Sequence, residues 1–240
     1  MPDAGQPLEV FAAWERAREA TRRLALHPPP EPELLRCTGQ LSPELAARIT
    51  DWFTGPAAAP APDTRVAYEA LKVETSELFA VVCSPRDAGG LDVSVEYVRG
   101  EAEPYAGAAD LCADLRSHQT MRLRTIACDA PHPLLDSTRG GTVDQLRVVH
   151  DVFGHAALGL GFDLQSEFAA WLQCRALFGP LAQGAAFTEL VGAVTAYVVT
   201  DRRWPLRADL APPELRDGAD LTAAQGAGLR PQEDAKITGW

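Results

Sequence analysis

His150, Asp151, His155 and Glu167 lie close together within VVHDVFGHAALGLGFDLQSEFAAW (148–171), a stretch that otherwise has the composition of a buried helix. A buried imidazole or carboxylate needs a polar partner or an ion, because an unpaired one is either costly or neutralised. At 3.6 residues per turn, a spacing of five turns His155 about 140° away from His150. Both rings then reach one ion only if the helix is locally distorted or the ion sits beside it. Gly154, directly before His155, removes a side chain where a ligand or another backbone can approach closely. In the next segment Leu164, Glu167, Phe168 and Trp171 follow i, i+3, i+4, i+7 and draw Glu167 into the apolar stripe. A third segment has Phe187, Leu190, Val191, Val194 and Val198 on its packing side and Glu189 at the edge, early in the helix and able to face inward. Two neutral imidazoles with one or two carboxylates, and no thiolate, form a 2-His-1-carboxylate set. Such a set suits Fe(II) and leaves positions open for O2 and a small-molecule substrate.

VHDVFGHAALGLGFDLQSEFAAW followed by AAFTELVGAVTAY resembles the iron-binding core of the aromatic amino acid hydroxylases, over about residues 146–200. The family has an H-E-x-x-G-H-x-x-x-L-like element, a phenylalanine-led helix with a glutamine and a glutamate, and a helix with an F-T-x-E-F-G-like stretch. The resemblance implies that His150 and His155 bind iron and that Glu189 is the carboxylate ligand. It implies a mononuclear non-heme Fe(II) monooxygenase acting with O2 on a small substrate such as one derived from an aromatic amino acid. It also implies tetrahydropterin as reductant, with no segment to which pterin binding can be assigned. Asp151 stands where the family has glutamate, FTE is one residue shorter than F-T-x-E, and the gap from His155 to Glu189 is short. SPRDAGGL (84–91) resembles a family stretch near the pterin, but it lies too far before His150 and reads as a hairpin turn. Arg122, Arg124, Arg139 and Arg147 precede the histidines and are candidates to hold a substrate carboxylate. The order EPY, PHPLL, VHDVFGHAA also resembles a group of uncharacterised actinobacterial and phage proteins.

Around the ligands, Glu167 reads as a hydrogen-bond acceptor for a metal-bound imidazole, with ligation or pairing with Arg175 as alternatives. Asp151 either orients His155 or lies on a wet face, and His132 in APHPLL is a loop residue near the site entrance and a reserve ligand. Tyr105 and Trp171 read as core. Two other classes stay open. The His150-Asp151 pair resembles that of HD-type metal phosphohydrolases, for which His118 and Asp201 are the available further ligands. A divalent-metal hydrolase with Glu167 as base lacks the H-E-x-x-H spacing. A metal-stabilised binding module, the non-catalytic alternative, predicts a closed coordination sphere.

The elements that must position these groups follow from pattern. With 240 residues and 46% hydrophobic side chains the chain can bury a real core. A net charge of −11 with scattered arginines argues against nucleic acid. No apolar run approaches the roughly 20 residues that span a bilayer, and the first residues lack signal-peptide order, so no membrane partner and a cytoplasmic location are expected. Five scattered cysteines without a C-x-x-C pair read as reduced thiols. An amphipathic helix over 8–26 stops at HPPPEPE, and a second helix starts at the Ser42-Pro43 cap. The Pro/Ala stretch 54–63 reads as a linker between an N-terminal helical segment, 1–53, and a catalytic domain, 64–240. Within the latter, the pattern predicts a helix over 68–79, a β-hairpin from FAVVCS and LDVSVEYV, a short helix in GAADLCADLRSH and a strand in MRLRTIAC. Helices over about 143–159, 162–178 and 181–200 and an irregular tail complete the chain. The fold class is α+β, mostly helical, with a small antiparallel sheet packed against a helical bundle carrying the metal site.

Overall fold

The computed structural model describes residues 8–24, 41–57, 59–99, 103–125 and 131–216. Helix α1 (Phe11–Leu24) buries Ala13, Trp14, Ala17 and Thr21, one stripe at helical spacing. Helix α2 (Pro43–Thr54) starts as its sequence dictates: Ser42 Oγ accepts the Leu45 amide and proline occupies the first turn. Both helices join the main core. Trp14 and Ile49 belong to the same hydrophobic cluster as Phe153, Trp171 and Phe187, so the expected N-terminal segment is packed onto the remainder of the chain.

Helix α3 (Pro62–Cys83) begins inside the expected linker and runs through FAVVCS, which corrects the hairpin expectation. Leu71, Leu78, Val81 and Val82 are all buried and extend one helical stripe, so burial overrides the β preference of the two valines. A 3-10 turn at Arg86–Ala88, with Gly89 at φ 79°, then reverses the chain. Strand β1 (Ser94–Val98) pairs with β2 (Thr120–Arg124) across the intervening helix α4 (Ala108–Ser117), in register from Ser94↔Thr120 to Val98↔Arg124. The sheet is therefore parallel, and the antiparallel expectation is corrected: two strands joined by a crossover helix run in the same direction.

Two long helical runs carry the candidate site. Helix α5 (Thr142–His150) passes directly into a π turn, Asp151–Ala156. Helix α6 (Leu164–Cys174) is capped by Asp163, whose side chain accepts the Gln165 and Ser166 amides. Helix α7 (Pro180–Phe187) passes into a second π turn, Thr188–Gly192, and on into α8 (Ala193–Thr200). A short helix α9 (Pro213–Arg216) closes the described chain. The run Pro180–Thr200 is long and apolar enough to cross a membrane, and most of it is buried against protein.

Candidate metal centre

The π turns resolve the spacing problem at His150 and His155. A π turn bonds i to i+5, so side chains five apart rise above one another on one face instead of diverging. Both histidines are buried, their rings meet edge to face at 4.8 Å, and His155 Nε2 lies 3.1 Å from His150 Nε2. The wide turn needs room, and Gly154 provides it. A Cβ there would stand 2.9 Å from Ala170 Cβ and 3.0 Å from the Ala170 carbonyl of α6, a close approach that only glycine permits. This contact also sets α6 against the histidines.

One α-turn before Ala170, Glu167 projects its carboxylate into the same point. Its Oε2 is 3.1 Å from His150 Nε2 and 3.2 Å from His155 Nε2, and all three side chains are buried. Three donor atoms thus form a near-equilateral triangle. An octahedral ion with bonds of about 2.1 Å spaces adjacent donors by about 3 Å, so the triangle has the dimensions of one face of its coordination sphere. Asp151 belongs to the group as well, with a carboxylate oxygen and the two imidazoles within 4.8 Å of one another, wider than the Glu167 contacts.

The electrostatics agree with a cation at this point. Burial pushes the His155 imidazole down, but the Glu167 and Asp151 carboxylates outweigh it and raise its pKa above the usual range. Burial pushes Glu167 up, and the two imidazoles outweigh that and bring it well below the usual carboxylate range. Each partner thus favours the charged form of the other. Nitrogens 3.1 Å apart cannot both carry hydrogen between them, so at least one Nε2 presents a lone pair. The outward nitrogens are less well provided for: His150 Nδ1 and His155 Nδ1 are buried without a hydrogen bond, although the Gly161 carbonyl near the His155 ring favours a proton there. Phe162 covers the His155 ring at 4.9 Å between centroids.

Glu189, the ligand implied by resemblance, bonds Tyr68 and His132. Its Oε1 accepts the Tyr68 hydroxyl at 2.6 Å and lies 3.1 Å from His132 Nε2. His132 Nδ1 accepts the amides of Leu134 and Leu135 at 3.0 and 2.7 Å, which places the ring proton on Nε2 and makes it a donor to Glu189. Burial, then the Glu189 charge, raises the Tyr68 phenol well above its usual pKa, so it stays a donor. Glu189 also sits on a π turn, and Gly192 in that turn faces Phe53, whose ring would be 2.8 Å from a Cβ. No pattern in the sequence links Tyr68 to Glu189 across 121 positions. His132 is a loop residue, as expected, and its ring bonds Glu189.

The remaining candidates have protein partners. Arg122 bonds Asp114 and covers the Tyr105 ring, Arg124 and Arg147 both reach Glu103, and Arg139 bonds the Tyr97 carbonyl. Burial raises the Asp151 pKa above the usual carboxylate range, opposed in part by His155, His150 and then Arg147. Tyr105 and Trp171 are core, the latter edge-on to Phe187. His118 is exposed beside Asp114, and Asp201 is the exposed left-handed end of α8, so neither joins the buried histidines. Cys83, Cys112 and Cys174 are free thiols, while Cys37 and Cys128 lie outside the described residues. Surface depressions of about 410 and 290 Å³, one beside Leu8 and Leu115 and one beside Arg16 and Glu77, include none of the centre's side chains. Comparison of the chain with protein-family models, with curated proteins and with solved structures finds no match.

Proposed function

We propose that the chain is a mononuclear non-heme Fe(II) oxygenase whose metal is held by His150, His155 and Glu167. The observation that carries this reading is the buried triangle of two imidazole nitrogens and one carboxylate oxygen, with sides of 3.1 to 3.2 Å. Ferrous iron in a 2-His-1-carboxylate set supplies the capacity to activate O2 and oxidise a nearby substrate, which side chains alone lack. The chain's own part is to hold the donors and keep water away. Glu167 offsets the metal's charge, the π turn aims both imidazoles, and Phe162 screens His155 from solvent. Glu189 Oε1 is held by Tyr68 and His132, whereas the Glu167 carboxylate already stands at both imidazoles.

A second reading, a divalent-metal phosphohydrolase, draws on Asp151 lying within 4.8 Å of the histidine nitrogens. Anaerobic purification with iron reconstitution separates the two. The oxygenase reading expects about one iron per chain, lost in Glu167→Gln and His155→Ala and retained in Glu189→Gln, with O2 uptake in the presence of reductant. Failure to bind iron after reconstitution refutes it. Loss of iron in Glu189→Gln but not Glu167→Gln transfers the ligand role to Glu189. Oxygen-independent phosphoester cleavage supports the hydrolase.

A further inference from the structure

The π turn that aims His155 is secured from the far end of the chain. Its last residue, Ala156, has a carbonyl that the local Gly159 amide reaches at 3.4 Å and the Cys112 thiol at 3.8 Å. The short bond to it, 2.8 Å, comes from the backbone amide of Leu8. Trp14 then packs edge-on against Phe153, at 5.8 Å between centroids, inside the turn and between the two histidines. Both rings are fully buried, as are Val10, just before α1, and Ala13 and Ala17 within it.

A π turn is the rarer and less favourable way to wind a helix, so something outside the helix must hold it. Relaxation to a regular α-helix would shift the register by one residue, which rotates His155 by about 100° relative to His150 and Glu167. On one side Ala170 fills the space left by Gly154, and on the other stand Leu8 and Trp14. We propose that Leu8, through its backbone amide, and Trp14 are positioning residues of the metal centre: they clamp the π turn in the register that brings His155 to His150 and Glu167. The inference rests on reading that trio as a metal site. The N-terminal segment is then part of the centre, and its release frees the metal.

The test uses the full chain loaded with Co(II), whose visible bands report coordination geometry, with affinity read by chelator competition. Leu8→Pro deletes the amide hydrogen, whereas Leu8→Ala keeps it and removes most of the side chain. Leu8→Pro is expected to weaken Co(II) binding about 10-fold or more, as when a partner of a metal ligand is removed, and to shift the bands. Leu8→Ala is expected to keep both, whereas Trp14→Ala, which removes the ring packed on Phe153, is expected to weaken binding and shift the bands. Because proline can disturb the fold, amide exchange in the unmutated chain gives a second measure: the Leu8 amide should exchange more slowly once Co(II) is bound. Equal affinity and spectra in Leu8→Pro and Leu8→Ala, or a Leu8 amide indifferent to Co(II), overturns the clamp while the metal centre stands. An unmutated chain that takes up neither cobalt nor iron removes the metal centre and the clamp with it.

Discussion

Glu74 gives a quantitative test of the core. It is buried in α3, and its Oε2 accepts the Gly179 amide at 2.8 Å, at the start of α7. Burial raises its pKa from 4.5 to about 7, with the Gly179 bond opposing only in part. Between those two values the folded chain holds a proton that the unfolded chain has already released. Stability must then fall as pH rises through this window, because the folded state binds the extra proton. At 1.36 kcal/mol per pH unit, the gap amounts to about 3 kcal/mol by pH 8. Glu74→Gln keeps an acceptor for Gly179 and has no charge to bury. Urea unfolding of both chains at pH 4.5, 5.5, 6.5 and 8 reads the effect as a difference, in which all other titrating groups cancel. The substituted chain should gain up to about 3 kcal/mol over the original between pH 4.5 and 8, with no gain below pH 4.5. Parallel stability profiles across this window would refute the reasoning, and a substituted chain that loses ground as pH rises would reverse its sign.

Two further outcomes follow from contacts at the centre. Gly154→Ala places a methyl group 2.9 Å from Ala170 Cβ and should cost about 1 to 3 kcal/mol in thermal or urea unfolding and weaken iron binding. Adding Ala170→Gly should recover part of both losses, since the Ala170 carbonyl contact at 3.0 Å remains. Tyr68→Phe removes the hydroxyl donor to Glu189 and should cost about 2 kcal/mol, a value for a hydrogen bond to a charged group, without changing iron stoichiometry. Loss of iron in that variant would connect the Tyr68–Glu189–His132 group to the metal.

Much of this was legible because it is local. The Ser42 cap, the amphipathic stripe of α1 and the inward turn of Glu167 depend on residues a few positions apart. The five-residue spacing of His150 and His155 allowed a shared ion through a distorted helix or an ion beside it, and the π turn is a distortion of that kind. What was not legible depends on distant partners. Strand β1 looked like half of a hairpin because valines preceded it, yet those valines complete a helical stripe, and the true partner strand lies beyond α4. Glu167 lies within its apolar stripe and Glu189 at the edge of the next helix, with ligation by Glu189 implied by resemblance. The bonds of Glu189 to Tyr68 and His132 join residues 121 and 57 positions apart, which no local pattern reveals.

The two widened turns carry a consequence for how such a centre is lost. Each holds one residue more than an ordinary helix needs, so excising a single position from Asp151–Ala156 would restore regular bonding and make the helix locally more stable. The imidazoles would then face different directions. The convergence of the imidazoles is stored as a surplus amino acid, and the mutation that erases it is one that improves the helix.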